Sequence, residues 1–394
     1  MAVATADLIT AAGYGWTQAI HRIGRTDTTN GLPHGGHRVD NNFRRLPSAP
    51  VFCESRRARS ASKIDHRLTG TVGHETTGER RMRVVAVMNY KGGVGKTTLT
   101  ANLGAVAASR GLRVLLLDLD PQTNLTFSFF SIDDWHDRLK DGRTIRQWYD
   151  SEMPGRDVAL ADLVVTPERI NKALKSPPGQ LDLISSHLGL IDIDLELAAR
   201  LGGTTTIDGS KRKFLDLHSC LRRALEDSYF SSYDLVLIDC APNFGLVTKT
   251  AIVASEQILV PAKADYLSTL GLDYLAGNCA GLVQQFNDYV NHKRGAGDHH
   301  PIDPAFLGVV FTMVQIYSQQ VTLAQHTYIE EVRLNSRVPV LESKIRNSPR
   351  HFGDAGETGV PAMLRTSSKD EVVKEFDQLA DEVLGALALT GDRQ

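Results

Sequence analysis

The sequence predicts an α/β fold, in which a doubly wound and mostly parallel sheet is flanked by helices. From Arg83 onward, short runs of apolar and often β-branched residues recur, with helical patterns between several of them. Runs of this length that are apolar throughout are typical of strands covered on both faces, as in a parallel sheet. Their alternation with helices indicates a doubly wound domain.

The elements follow from these patterns in chain order. Strands are predicted at residues 84–88, 114–117, 181–184, 235–238, 258–260 and 307–311. Helices are predicted at 97–110 and 214–228, between strands of this set. A last helix, at 369–389, carries Val372, Phe376, Leu379 and Val383 at helical spacing, which predicts an amphipathic helix that closes the domain. The segment 127–179 has no assignment.

Composition limits the class of protein. The chain has 394 residues, 42% of them hydrophobic, and no run of 18 apolar residues that would predict a transmembrane helix. No basic segment followed by an apolar one opens the sequence, so we expect no secretory signal. The four cysteines have no CxxC spacing, which argues against a disulfide scaffold, a zinc site or an iron–sulfur site. We therefore expect a cytoplasmic protein.

Charge is distributed unevenly along the chain. The net charge is −2, yet residues 1–83 carry 13 Lys and Arg against 7 Asp and Glu, and the remainder carries a net −8. Residues 25–81 lack a period and cluster few aliphatic side chains, which predicts disorder. We expect a basic arm at 1–82, one domain at 83–389 and a tail at 390–394. A solvated arm, an arm that contacts DNA, and a native start at Met82 all stay open.

The most specific motif of the sequence follows the first predicted strand and includes the start of the first predicted helix. It consists of Lys91, Gly92, Gly93, Val94, Gly95, Lys96, Thr97 and Thr98. Glycines allow backbone N–H groups to converge on phosphate oxygens at the positive end of a helix. Lys96 would place a charge at the β- and γ-phosphates, and the Thr97 hydroxyl would ligate Mg²⁺. The motif predicts a binding site for ATP and Mg²⁺.

This loop departs from the general phosphate-binding motif at two positions. Tyr90 stands where the first glycine is expected, and a second lysine, Lys91, begins the loop. This form resembles the deviant Walker A loop of the ParA/MinD ATPase superfamily. The resemblance implies a P-loop NTPase fold and an ATP-dependent homodimer, in which Lys91 reaches the phosphates of the partner copy. Spacing alone leaves open the alternative that Lys91 is an ordinary surface charge in contact with solvent.

Carboxylates at the ends of two predicted strands complete the motif. A carboxylate beside a phosphate loop can position or deprotonate the attacking water, although an Asp at a strand end is also a common turn or helix cap. Residues 114–122 resemble the family's second strand and DxDPQ box, which implies a catalytic Asp120 and an Asp118 that supports the Mg²⁺ shell. The apolar run 235–238 ends in Asp239, a Walker B pattern that would hold Mg²⁺.

The resemblance extends from Arg83 to Leu389 at lower specificity. Residues 240–245 resemble the family's nucleotide-sensing switch stretch, which implies a nucleotide contact from Asn243. Residues 344–349 resemble the loop that frames the adenine, which implies contacts from Arg346 and Asn347. The switch stretch lacks the family's first proline, which is Ala241 here, and the adenine loop lacks the proline before its Arg-Asn pair.

Further features select a branch of the superfamily. The final helix is acidic, which disfavours binding to an anionic membrane. The cysteines do not suit the nitrogenase iron-protein branch, and the last tyrosine, Tyr328, lies far from the C-terminal cluster of the bacterial tyrosine kinases. Five basic residues form a candidate DNA patch, for which ordinary surface charge is the alternative: Arg333, Arg337, Lys344, Arg346 and Arg350.

The sequence thus favours a ParA-type ATPase for plasmid or chromosome partitioning. The resemblance implies an ATP-dependent dimer that binds double-stranded DNA non-specifically and associates with the nucleoid. It also implies a ParB-like partner that accelerates slow hydrolysis. Two alternatives stay open: an ATPase that positions a protein assembly, and an ATP-dependent ligase or amidotransferase on the same fold.

Overall fold

The computed structural model describes residues 81–151, 158–174, 179–202, 206–292, 298–318, 320–353 and 359–389, without the side chain of Thr269. The predicted arm at 1–82, apart from Arg81 and Met82, and the predicted tail at 390–394 lie outside these residues. The described residues all belong to one compact unit.

A seven-stranded parallel sheet forms the centre of this unit, which confirms the predicted fold class. Its strands are β1 (Arg83–Val87), β2 (Arg113–Leu119), β3 (Gln180–Ile184), β4 (Leu235–Cys240), β5 (Gln257–Lys263), β6 (Ala305–Val314) and β9 (Val340–Arg346). Their order is β3-β2-β4-β1-β5-β6-β9. The six predicted strands are all present, and β9 is an additional edge strand. Two short strands, β7 (Ile316–Tyr317) and β8 (Gln320–Val321), pair separately.

Helices cover both faces of the sheet. They are α1 (Lys96–Ser109), α2 (Asn124–Phe127), α3 (Ile132–Arg138), α4 (Ile145–Ser151), α5 (Glu168–Ala173), α6 (Leu190–Leu201), α7 (Ile207–His218), α8 (Cys220–Leu225), α9 (Leu246–Ala254), α10 (Tyr266–Val290), α11 (Leu323–Asn335), α12 (Pro349–Phe352), α13 (Ala362–Arg365) and α14 (Glu371–Ala386). Single 3₁₀ turns lie at Leu160–Leu163 and Ser228–Ser232.

One predicted helix, at 214–228, is wrong as a continuous element. The chain begins a helix earlier, where the Thr206 side chain accepts a hydrogen bond from the Gly209 N–H, and ends it at His218. Ser219 then separates α7 from α8. Its hydroxyl donates to the Leu215 carbonyl oxygen at 2.7 Å, a local bond that competes with the helical pattern.

Two hydrophobic layers hold the helices against the sheet. In β1, Val84 and Ala86 join the layer under α9 and α10, whereas Val85 and Val87 join the layer under α1 and α14. This alternation follows the two-residue period of a strand, and burial on both faces explains why the strands are apolar throughout. The predicted C-terminal helix is confirmed as α14, which buries Val372, Phe376 and Leu379.

The strand order determines where the candidate site lies. Strand β4 lies between β1 and β2, and Asp239 pairs in register with Val87 of β1 and with Asp118 of β2. Because all the strands of the sheet are parallel, the loop that follows β1 and the carboxylates of β2 and β4 meet at the same edge.

Candidate functional site

The glycine-rich loop after β1 places the start of α1 at the carboxyl edge of the sheet. No side chain of the described residues caps the first turn of this helix. Gly93 and Gly95 have φ angles of 67° and 80°, a backbone region that favours glycine. Lys96 is the first residue of α1, and neither a side-chain cap nor an acidic residue occupies its first turn. The N–H groups of this helix end are therefore available to an anion such as a phosphate.

Two buried side chains tie the loop to neighbouring strands. The Asn89 side chain donates to the Pro261 carbonyl oxygen at 2.7 Å and accepts from the Lys91 N–H at 3.0 Å. The Thr312 hydroxyl donates to the Val94 carbonyl oxygen at 2.7 Å. The loop is thus held in place by β5 and β6 as well as by its own glycines.

Lys96 is directed into the site. The residue is 6% exposed, and its Nζ lies 3.4 Å from the Lys91 carbonyl oxygen, a long contact for a hydrogen bond. Burial lowers the pKa of the Lys96 amine, while the nearby Asp239 and Asp120 carboxylates act in the opposite direction. A phosphate group here would replace the weak carbonyl contact with a strong charge-assisted one.

Thr97 and Asp239 form an oxygen-rich pair beside Lys96. The Thr97 hydroxyl donates to Asp239 Oδ2 at 2.7 Å. The other carboxylate oxygen, Asp239 Oδ1, is buried and accepts no hydrogen bond from the residues that the structure describes. Burial, together with repulsion from Asp118, raises the pKa of Asp239. A buried carboxylate with one free oxygen next to a hydroxyl could hold Mg²⁺, which prefers oxygen ligands.

Asp118 and Asp120 flank this pair from β2 but differ in their contacts. Asp118 Oδ2 accepts hydrogen bonds from the N–H and the hydroxyl of Thr126, both at 2.8 Å, and burial raises the pKa of Asp118 to about 7. Asp120 Oδ1 accepts from the Gln122 N–H at 2.9 Å, so Asp120 caps the following turn. Asp120 is 7% exposed and lies close enough to Lys96 to affect its pKa.

Lys91 does not point into the site of its own chain. Its Nζ pairs with both carboxylate oxygens of Asp265, at 2.8 and 2.7 Å, and contacts the Ser268 hydroxyl oxygen at 3.2 Å. Asp265 also caps α10 by accepting from the Ser268 N–H. Partial burial would raise the pKa of Asp265, but the hydrogen bonds from Lys91 and Ser268 hold it below its usual value.

A cavity of about 270 Å³ opens beside the loop, between α1, β6, β9 and α14. Arg346 and Asn347 line it together with Gly95, Thr312 and Phe352. Glu375 orients Arg346, because its carboxylate accepts from the Arg346 Nε at 2.7 Å and from the Arg346 N–H at 2.9 Å. The structure therefore brings the residues of the predicted adenine loop to the side of the phosphate loop.

The remaining predicted residues lie outside this cluster. Asn243 is exposed, and its side chain accepts from the Gly245 N–H and the Thr248 hydroxyl near the start of α9. In the candidate DNA patch, Arg333 and Lys344 lie beside Glu342, while Arg346 pairs with Glu375. Arg337 and Arg350 are exposed. The patch therefore contains counter-charges as well as basic side chains.

Three contacts of the site were not predicted from the sequence. Asn89 and Thr312 support the loop, and Asp265 pairs with Lys91. An Asp before an apolar helix is a recognisable cap signal, so Asp265 could have been identified as an N-cap. Its pairing with Lys91 had no signal, because the two residues are 174 positions apart.

Comparison with known proteins identifies the family of this chain. A family described as an AAA domain matches residues 82–292. The sporulation initiation inhibitor protein Soj of Bacillus subtilis is 30% identical over 72% of this chain and 90% of its own length. The chromosome partitioning protein ParA of Caulobacter vibrioides is 33% identical over 72% of this chain and 87% of its own length.

The fold has matches among solved structures as well. An ATP complex of McdA from Cyanothece covers 80% of this chain and all of its own, with a TM-score of 0.57 and 21% identity, a similarity that concerns the fold. The chain belongs to the ParA/MinD-type P-loop NTPases.

Proposed function

We propose that this protein is a ParA-type ATPase that acts as a molecular switch in plasmid or chromosome partitioning. The convergence of Lys96, Thr97 and Asp239 at the open end of α1 carries the proposal. Soj and the Caulobacter ParA support it, since both match over most of their length and the second is a chromosome partitioning protein.

Each residue has a role that its position supports. The N–H groups of residues 92–98 and the Lys96 amine bind the phosphates of ATP. Thr97 and Asp239 hold Mg²⁺, which neutralises phosphate charge when it is bound. Asp120 orients the attacking water and accepts its proton. Asp118, which lies next to Asp239 in the sheet and accepts a hydrogen bond from Thr126, supports the Mg²⁺ shell.

Nucleotide recognition extends along the cavity beside the loop. Arg346 and Asn347 frame the adenine, since both line the cavity and Glu375 holds Arg346 in place. Asn243 senses the state of the phosphates from the segment between Asp239 and α9, whose first turn it helps to order.

Dimerisation places Lys91 on the phosphates of the second copy. In one copy alone the amine is bound to Asp265, at the start of α10. Next to this pair, α10 exposes four large apolar side chains: Tyr266, Leu267, Leu270 and Tyr274. A contiguous apolar surface next to an incomplete site suits an interface with a second copy.

The ATP-bound dimer binds double-stranded DNA non-specifically and so associates with the nucleoid of the cytoplasm. Arg333, Arg337, Lys344 and Arg350 are the candidate contacts, and the basic arm is a second candidate. A ParB-like protein accelerates hydrolysis and resets the switch. No helix among the described residues is both long and apolar enough to cross a membrane.

A rate assay together with a sizing experiment tests the proposal. We expect slow ATP hydrolysis, and dimers only with ATP or a non-hydrolysable analogue. The dimers should retain DNA with a steep salt dependence. Lys96→Ala and Asp120→Ala should each lower the rate at least a hundredfold, whereas the control Lys172→Ala, at a lysine whose side chain is 77% exposed, should not.

Other results would identify one of the alternatives. An ATP-dependent dimer that never retains DNA would favour an ATPase that positions a protein assembly. Rapid turnover that requires a small acid or amine would favour a ligase or amidotransferase. Hydrolysis at a normal rate in Lys96→Ala would contradict the assigned site altogether.

A further inference from the structure

A second cavity lies between helices α4, α6, α7 and α8, and we call it the α6–α8 cavity. Its volume is about 440 Å³, a size at which protein cavities commonly hold small molecules. Tyr149, Leu197 and Cys220 line it and are buried, and Leu201 and Leu217 line it and are partly buried. The Tyr149 hydroxyl is already hydrogen-bonded to the Thr250 hydroxyl at 2.7 Å. The buried part of the cavity is therefore mostly apolar, as in most sites for small molecules.

The α6–α8 cavity and the cavity beside the phosphate loop lie on opposite faces of the sheet. Tyr149, Leu197 and Cys220 belong to the hydrophobic layer under α9 and α10. Buried residues that line the other cavity, Leu99 and Phe376, belong to the layer under α1 and α14. A ligand of the α6–α8 cavity would therefore not compete with ATP for the same residues.

Positive charge predominates around the α6–α8 cavity. The cationic lining residues that the structure describes come from α6, α7 and α8: Arg200, Lys213 and Arg223. The one carboxylate among the described lining residues is that of Asp216, and it already has partners. It lies 2.8 Å from His299 Nε2 and 3.9 Å from Arg212 Nε. An excess of cations over carboxylates favours an anion as the ligand.

Lys213 and Arg223 hold their charges in positions that a ligand can reach. Both side chains are exposed. Lys213 Nζ donates to the Gly202 carbonyl oxygen at 3.2 Å, and Arg223 donates to the Asp216 carbonyl oxygen at the same distance. A carbonyl oxygen carries no net charge, so these two contacts do not neutralise either cation. An anionic ligand would replace them with shorter and stronger charge-assisted hydrogen bonds.

We propose that the α6–α8 cavity binds a small organic anion, in which an apolar body carries a carboxylate, phosphate or sulfonate group. Lys213 and Arg223 bind the anionic group, and the apolar wall around Tyr149 and Leu197 takes the body. The apolar wall selects this ligand over inorganic phosphate, and the two cations select it over a neutral apolar molecule. The site is separate from the ATP site and does not depend on the proposed switch function.

Two fluorescent probes that differ in charge test this site in the full chain. The anionic probe is anilinonaphthalenesulfonate, and the neutral probe is phenylnaphthylamine, which has the same rings without the sulfonate. Titrations contain Mg²⁺ and a saturating non-hydrolysable ATP analogue, so that neither probe enters the cavity beside the phosphate loop. We expect both probes to bind the unmodified chain.

Charge variants test the role of the two cations. Lys213→Gln combined with Arg223→Gln should weaken binding of the anionic probe about tenfold and that of the neutral probe less than about twofold. Lys211→Gln combined with Arg222→Gln is the control, because it removes the same charges from the same two helices at residues outside the described lining. It should weaken binding of either probe less than about twofold.

A pair of neighbouring alanines locates the bound probe. Ala198 and Ala199 are both exposed on α6, and of the two Ala199 lines the cavity. Ala199→Phe should weaken binding of both probes about tenfold, because the larger side chain takes up space in the cavity. Ala198→Phe should change it less than about twofold. Both positions are exposed, so both variants should unfold at the temperature of the unmodified chain.

Several outcomes would overturn the inference. Unchanged affinity of the anionic probe for the Lys213 and Arg223 double variant would do so, as would an equal loss in the control double variant. A loss as large for the neutral probe would show that the cations do not select charge. Unchanged binding to Ala199→Phe would place the probes elsewhere. If the chain hydrolyses no ATP but binds the anionic probe through Lys213 and Arg223, the site stands and the proposed switch is refuted.

Discussion

Replacing Asp265 with Asn should make the ATP-dependent dimer tighter. The change removes the negative charge that holds Lys91 and keeps the cap of α10, because Asn caps a helix about as well as Asp. The side chains of the pair are 31% and 41% exposed, so its contribution is that of a surface ion pair, about 0.5–1 kcal/mol at low salt.

That energy must be supplied twice when two copies join, since each contributes one Lys91. Removing it should strengthen dimerisation by about 1–2 kcal/mol in total, or about 5- to 30-fold in the dissociation constant. The gain should shrink as salt is added, because exposed charges are screened. Sedimentation with a non-hydrolysable ATP analogue measures the constant, and urea unfolding should show each subunit destabilised by about 0.5–1 kcal/mol.

Two further variants isolate the cause. Asp288→Asn makes the same charge change at an exposed position on α10 and should leave the dissociation constant unchanged. Lys91→Ala combined with Asp265→Asn should lose the gain. If Asp265→Asn alone dimerises no better than the unmodified chain, the pair does not restrain Lys91, and the reasoning is wrong.

Three other changes should have measurable effects. Thr312→Val keeps the shape of the side chain but removes the hydrogen bond to the Val94 carbonyl oxygen. It should lower the free energy of unfolding in urea by about 1–2 kcal/mol and should weaken ATP binding several-fold, as measured by fluorescence titration. Glu375→Gln removes the nearer of the two carboxylate charges that hold Arg346, the other being that of Glu371. It should weaken binding of ATP more than that of inorganic triphosphate, which isothermal titration calorimetry can compare. Burial lowers the pKa of His218 to about 4, so the unfolded chain, with a His pKa near 6.5, takes up the proton first. The free energy of unfolding should therefore fall as pH drops from 6.5 towards 4, by about 2 kcal/mol at pH 5, and His218→Phe should remove that part of the pH dependence.

The central strands could be predicted from the sequence because burial on both faces leaves a continuous apolar run. Strand β9 could not, since it lies at the edge and alternates: Leu341, Ser343 and Ile345 point inward while charged residues lie between them. Ser343 is polar although it is buried, so the hydrophobic pattern of the sequence does not show this alternation. The break between α7 and α8 was missed because Ser219, which separates them, is a single polar residue whose hydroxyl donates to a carbonyl oxygen of α7.

The candidate site was predictable where its chemistry is local. Residues 91–98 form one continuous motif, Asp239 ends an apolar run, and Asp120 lies just after the second predicted strand. The contacts that orient these groups join distant parts of the chain, as the bond between Thr97 and Asp239 does across 142 positions. Such contacts depend on the order of the strands in the sheet, which sequence periodicity does not encode.

The position of β4 has a consequence for how the chain reaches its folded state. Strands β1 and β2 leave the ribosome early but do not pair with each other, because β4 lies between them. A growing chain that ends before Leu235 therefore has two central strands with open edges, which are prone to wrong pairing. Insertion of β4 closes both edges and delivers Asp239 beside Thr97 in the same event. The residues of the phosphate loop therefore acquire their carboxylate neighbour Asp239 only after about 140 further residues have been made.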